Sequence, residues 1–132
     1  MATINRFEDL EIWQIARRLC KDVFALSNKG LFLKDFKFRD QIRSSSGSVM
    51  DNIAEGFERS SRLEFVNFLS IAKGSSGETR SQLYRAQDVE YCTESEANDI
   101  VKEYEHLAQK IAGFISYLNQ SVIKGQKFKD RE

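Results

Sequence analysis

No proline occurs anywhere in the 132 residues. The chain therefore lacks the one residue that removes a backbone donor and forces a helix to end. Helices must be stopped instead by glycine and by local polarity. Four long segments carry apolar residues at a helical period, and no run alternates strictly enough to suggest a strand. The spacing predicts helices over residues 8–27, 36–58, 61–90 (starting at Ser60 or Ser61) and 93–122. Three of the four starts read as capping boxes: Asn5 with Glu8, Ser61 with Glu64, and Thr93 with Glu96. The first helix should end at "SNKG", with Gly30 left-handed. Short connections between four long helices imply an all-α, antiparallel up-down-up-down four-helix bundle over residues 1–122. Residues 123–132 have no apolar period and are expected to form a flexible, charged tail.

Twenty basic residues balance twenty acidic ones. That argues against a protein dedicated to coating DNA, which carries a basic excess, while leaving room for a local basic patch. The N-terminus lacks the layout of a signal peptide, and no segment is apolar enough to span a bilayer. The chain reads as a bacterial cytoplasmic protein. Cys20 and Cys92 stand far apart and are expected as free thiols.

The faces of the helices differ. The fourth carries one plain stripe, from Ala97 through Tyr104 and Ile111 to Val122. The first carries two. Trp13, Ala16, Cys20, Val23 and Phe24 form one, with Trp13 expected to be buried. Ile12, Ile15, Leu19 and Leu26 form another beside it. Either the apolar linker "LFLKDF" covers this second stripe, or it is a subunit interface. The two middle helices place polar residues on the flank of the core: Gln41, Ser48, Asn52 and Glu55 on the second, Ser75, Glu78 and Gln82 on the third. Small residues accompany them in "SSSGS" and "GSSG", where backbones or another chain would approach closely. Polar groups within helical interfaces act best as selectors of register and oligomer state, and "NIAEG", residues 52–56, is read in that way. Glu55 is expected to pair with Arg59 or a serine.

Motifs for chemistry are sparse. Glu103 and His106 make a single Glu-x-x-His, and His106, the sole histidine, points away from the core stripe; a di-iron bundle needs two such motifs. No Walker loop or G-x-G-x-x-G occurs. Glu55 and Glu78 are carboxylates that could in principle serve as paired acids. The residues thus imply no enzyme, metal or cofactor. Two hypotheses remain: an oligomeric scaffold that binds RNA or a ribonucleoprotein, and a scaffold that binds proteins alone. Candidate phosphate contacts are basic residues off the core stripes: Arg17, Arg18, Arg39, Arg43, Arg80 and Arg85, with Lys21, Arg62 and Lys73.

Three stretches carry a resemblance. "FEDLEIW" with Ala16, "QIRSSSGSVMDNIAEG", and "EFVNFLSIAKGSSGE" with Leu83 resemble the small bacterial four-helix proteins encoded by intervening sequences in large-subunit ribosomal RNA genes. These are often labelled ribosomal proteins, and their relatives include the accessory variability protein of diversity-generating retroelements. The resemblance runs over residues 7–118. It is most specific at Asn52, Glu55 and Gly56 and at Gly74, Ser75 and Glu78. It implies a homopentamer of antiparallel bundles without enzymatic activity, with RNA or a nucleic-acid-binding protein as the expected partner. Two departures stand out: the family's proline in the first interhelical loop is missing, and the chain is neutral where the retroelement relative is basic.

Overall fold

The computed structural model describes residues 4–127, and the side chains of residues 4–120. The described chain is helical throughout and contains no strand. A 3-10 turn at Phe7–Asp9 precedes α1 (Glu11–Ser27), α2 (Gly30–Lys34), α3 (Phe36–Phe57), α4 (Arg62–Asp88) and α5 (Glu94–Lys127). Among the described residues, no helix is long and apolar enough to cross a membrane.

The helix starts follow their side chains. At α5, the Thr93 amide donates to Glu96 Oε1 (2.9 Å) and the Glu96 amide to Thr93 Oγ1 (3.1 Å), a reciprocal capping box. At α4, Ser61 Oγ accepts from the Glu64 amide. The box expected at Asn5 is absent: the chain forms the 3-10 turn there, Leu10 is extended, and α1 begins three residues later than the sequence suggested. Gly30 is left-handed as expected, with φ of 59°. The segment "LFLKDF" is more ordered than a loop. It holds the five-residue α2 and then Asp35, which caps α3 by accepting from the Phe38 amide (3.2 Å). At the other end, α5 continues past Val122 to Lys127, so the tail set at 123–132 begins within the helix. The side chain of Val122 and residues 128–132 lie outside the described residues.

The long helices pack in a ring: α1 on α3, α3 on α4, α4 on α5, and α5 back on α1. Between α1 and α5, residue numbers rise on one helix as they fall on the other. On α1 and α5, Glu11 meets Lys110, Arg18 meets Glu103, and Lys29, just past α1, meets Glu96. Phe65 meets Phe114 between α4 and α5. One continuous apolar core fills the ring, with Leu19, Ile42, Ile53, Leu83, Tyr104 and Ile111 fully buried. Trp13 is buried, with its ring edge-on to Phe7. Phe32 of α2 closes one end of the core by stacking on Phe38 and lying beside Tyr91.

The division of α1 into two stripes does not survive. Ile12, Leu19 and Leu26, assigned to a free second stripe, are buried in the subunit's own core, and Ile15 packs at its margin. Phe24, assigned to the core, is half exposed. The reason is geometric. A helix in a four-membered ring touches two neighbours, so it buries a face wider than one stripe. Its centre runs through Ile12, Ala16, Leu19, Val23 and Leu26, at alternating spacings of four and three. Ile12 and Leu19 are therefore core residues and cannot serve as an exposed subunit interface. Nor does the linker cover them, since α2 lies at the far end of α1.

Two features of the end near α2 give measurable expectations. Glu90 holds a left-handed φ of 62° after α4, where the Tyr91 amide donates to the Ala86 carbonyl (2.8 Å). A side chain is costly in that conformation and glycine is not. Glu90→Gly should raise stability by about 1 kcal/mol, read as a higher denaturant midpoint at unchanged slope. Asp35 accepts from the Tyr91 hydroxyl (2.8 Å) as well as from the Phe38 amide, and these bonds, the tyrosine's first, hold its carboxyl below the usual range. A carboxylate with a lowered folded-state pKa stabilises above its unfolded value and loses that contribution as pH falls through the folded one. Asp35→Ala should thus be less stable than the parent at neutral pH. The gap in melting temperature should narrow as the solution is acidified through the carboxylate range.

Candidate functional site

The polar residues of α3 and α4 meet in a seam. Near its middle, Ser45 Oγ and Thr79 Oγ1 are both buried. Thr79 Oγ1 donates to Ser45 Oγ (2.9 Å), and Ser45 Oγ donates to Gln82 Oε1. Each hydroxyl has a single proton, so this chain has one direction, from threonine through serine to glutamine. The alternative acceptors are the carbonyls of Ser75 for Thr79 and of Ile42 for Ser45, on the same helices. One turn along, Asn52 Nδ2 donates to the Ser48 carbonyl and to Ser48 Oγ, both at 2.8 Å. Ser48 Oγ lies 3.0 Å from Ser75 Oγ, and either hydroxyl can donate to the other, since Ser48 Oγ keeps a second lone pair beside the one that faces Asn52. The seam is thus two hydrogen-bonded rungs joining α3 to α4.

Gly56 ends the seam. A Cβ built there would lie 2.6 Å from Phe68 Cβ and 3.0 Å from Phe65 Cδ1. Glycine at this position lets the last turn of α3 rest against the first turns of α4. The rungs and this contact support one another, because small residues bring the backbones together and so place the hydroxyls within reach.

Asn52 and Ser75 of the sequence-level set come together through Ser48, and Gly56 lies on the same line. The other members lie apart. Glu55 is exposed and pairs with Arg59 one turn on (2.8 Å). Glu78 is exposed at the rim of a shallow groove with Lys37, Asp40 and Ser44. The register places Glu78 opposite residue 46 or so, about nine residues and roughly 13 Å along the axis from Glu55. Paired acids operate at about 5–9.5 Å, so these two carboxylates do not form such a pair. Gly74 lies on the other side of α4, in a groove toward α5 with Gly77, Arg80, Ala108 and Ala112. Gln82, already placed on the flank by the sequence, completes the seam with Ser45 and Thr79, which the sequence did not single out. Ser45 and Thr79 fall on the core faces of their helices, and hydroxyls at core positions were the available signal.

The candidate cations are mostly engaged within the chain. Arg18 pairs with Glu103 (2.7 Å). Arg17 lies over Trp13, Arg39 over Phe36, Arg43 over Phe24 and Arg85 over Phe38, with guanidinium-to-centroid distances of 5.4, 4.8, 4.0 and 4.1 Å. Arg80 is half-buried, and its Nε has no hydrogen-bond partner among the described residues. Lys21 and Lys73 are exposed, and Arg62 is half-buried. Cys20 and Cys92 are free thiols. Burial raises both thiol pKa values, which keeps them protonated and poorly nucleophilic.

A family model described as "23S rRNA-intervening sequence protein" matches residues 8–113. A crystal structure at 1.70 Å of a protein with unknown function from the S23 ribosomal protein family, from Bacteroides thetaiotaomicron, superposes with a TM-score of 0.72 and 22% sequence identity. The match covers 79% of this chain and 97% of that one, and at this identity it speaks for the fold. No curated protein matches the chain.

The seam separates structure from chemistry by mutation. Gly56→Ala should cost about 1–3 kcal/mol by overpacking. Asn52→Leu should cost about 1 kcal/mol or more by leaving Ser48 without its donor. Glu55→Gln should change stability by no more than about 0.5 kcal/mol, as for other exposed ion pairs one turn apart. Denaturant unfolding of the three variants checks the order.

Proposed function

The chain belongs to the 23S rRNA-intervening sequence protein family, and on that premise we propose that it is a non-enzymatic scaffold: an antiparallel up-down-up-down four-helix bundle that assembles into a homo-oligomer and binds RNA or a ribonucleoprotein in the cytoplasm. The pentameric stoichiometry follows the family resemblance. The observation that carries the scaffold reading is the commitment of the seam: Ser45, Ser48, Asn52, Ser75, Thr79 and Gln82 bond to one another and to backbone, and the two acidic flank residues diverge. Such an arrangement sets the register of two helices and leaves no nucleophile beside a base.

Self-association draws support from the opposite side of α4. Gly74 and Gly77 stand in a helix interior, where each costs about 1 kcal/mol relative to alanine. A Cβ at either would meet nothing within 4 Å. Packing within the chain therefore gives no reason for them. Close approach of a second copy along the groove of about 540 Å³ between α4 and α5 does.

Light scattering at micromolar concentration should give a mass several times that of the 15.2 kDa chain; a monomer mass ends this reading. Gly74→Leu with Gly77→Leu should reduce the mass toward monomer while leaving the subunit as stable or more so, since leucine favours helix. Filter binding to structured RNA at two salt concentrations should show affinity that falls with salt. An intact oligomer without RNA affinity would leave the protein-only scaffold.

A further inference from the structure

We infer that the end of the molecule where α1 meets α2 and α3 is a stacking platform for single-stranded RNA, with Phe24, Phe36, Arg39 and Arg43 as its contacts. The inference rests on the scaffold reading and gives its RNA a class and a place. Five guanidinium groups lie over aromatic rings in the described chain. About two would be expected in a chain this long. Three of the five gather at this one end: Arg43 on Phe24, Arg39 on Phe36 and Arg85 on Phe38.

These arginines are held by their edges. Arg43 Nε donates to Ser27 Oγ (2.9 Å) and its Nη2 to Asn28 Oδ1 (3.4 Å). Arg39 donates to Asp40 Oδ1 (3.1 Å) and to the Leu33 carbonyl (3.3 Å). A guanidinium stacked on a ring and bonded at its edge is already fixed as a plane, so little side-chain entropy remains to be lost on binding. Unstacked bases are taken up by aromatic rings and by such guanidinium planes. The rings beneath are not buried: Phe24 is 50% and Phe36 65% exposed, in a chain that buries Phe32 completely at the same end.

Charge selects the partner. Residues 29–43 carry Lys29, Lys34, Lys37, Arg39 and Arg43 against Asp35 and Asp40, a net +3 in a chain of zero net charge. Asp35 is occupied by Tyr91 and the Phe38 amide, and Asp40 by Arg39. Lys29 is paired with Glu96, and the neighbouring junction of α4 and α5 carries Asp88 at the end of α4, Glu90 in the turn and Glu94 at the start of α5. The basic half of this end is thus bounded by an acidic edge, which confines an anionic strand to the rings of α1 and α3. A duplex hides its base faces and cannot use such a platform, whereas a single strand can.

The test is fluorescence anisotropy with a labelled oligouridylate and the same strand annealed to its complement, on the full chain. The single strand should bind more tightly than the duplex. Phe24→Ala with Phe36→Ala should weaken single-strand binding by about tenfold or more, with the slope of log Kd against log salt unchanged, because phosphate contacts persist. Arg39→Lys with Arg43→Lys keeps the charge and removes the planes, and should also weaken binding several-fold at an unaltered slope. Both double variants should keep the parent's mass in solution and helical circular dichroism. Equal affinity of parent and double variants for oligouridylate overturns the platform. If structured RNA still binds the parent in that case, the scaffold reading stands without it. An absence of binding to any RNA removes the RNA part of both.

Discussion

The close approach of α3 and α4 is the constraint on which the rest of the structure depends. Serines along α3, serine and threonine along α4, and Gly56 at the end set small side chains of the two helices against each other. Nearness then creates an obligation. Hydroxyls removed from water must find partners, and the partners within reach are one another. A slip of one helix by a single turn would break both rungs at once, so register is fixed by polar groups where an apolar seam would tolerate repacking. With α3 and α4 set, α1 and α5 complete a ring around an apolar core.

The helical architecture was legible because its signals are local. The absence of proline, the apolar period and the caps at Ser61 and Thr93 each act within one or two turns, and each appears where the sequence placed it. Gly30 was legible for the same reason. What failed was the phase of α1. A wheel records which residues share a side, but not how many neighbours the helix will touch. Leu19 and Phe24 have similar apolarity, yet one is fully buried and the other half exposed, because the arc between α3 and α5 includes position 19 and stops short of 24. The start of α1 was also misplaced, since Asn5 and Glu8 fit a capping box equally well whether or not a helix follows directly.

The candidate site was legible in part. Asn52, Ser75 and Gly56 could be found because polar and small residues stood out beside a core stripe. Ser45 and Thr79 could not, because a hydroxyl on a core face has no interpretation until its partner on another helix is known. Glu55 and Glu78 resembled a pair in sequence and are separated by the register that the seam itself imposes. The arginines show the same limit from the other side. Their positions off the core were evident, and Arg39 on Phe36 is a local pair within α3, but the stacking of Arg43 on Phe24 and of Arg85 on Phe38 depends on how α3 packs against α1 and α4.

The contact at Gly56 has a further consequence for how this sequence can change. The atom it meets at 2.6 Å is the Cβ of Phe68, which every residue except glycine possesses. Shrinking Phe68 to leucine or alanine would leave that atom in place and relieve nothing. Position 56 is thus held by the two main chains, independently of which side chain stands opposite. Shortening the side chain at position 68 to any residue that keeps a Cβ opens no route by which position 56 could accept one.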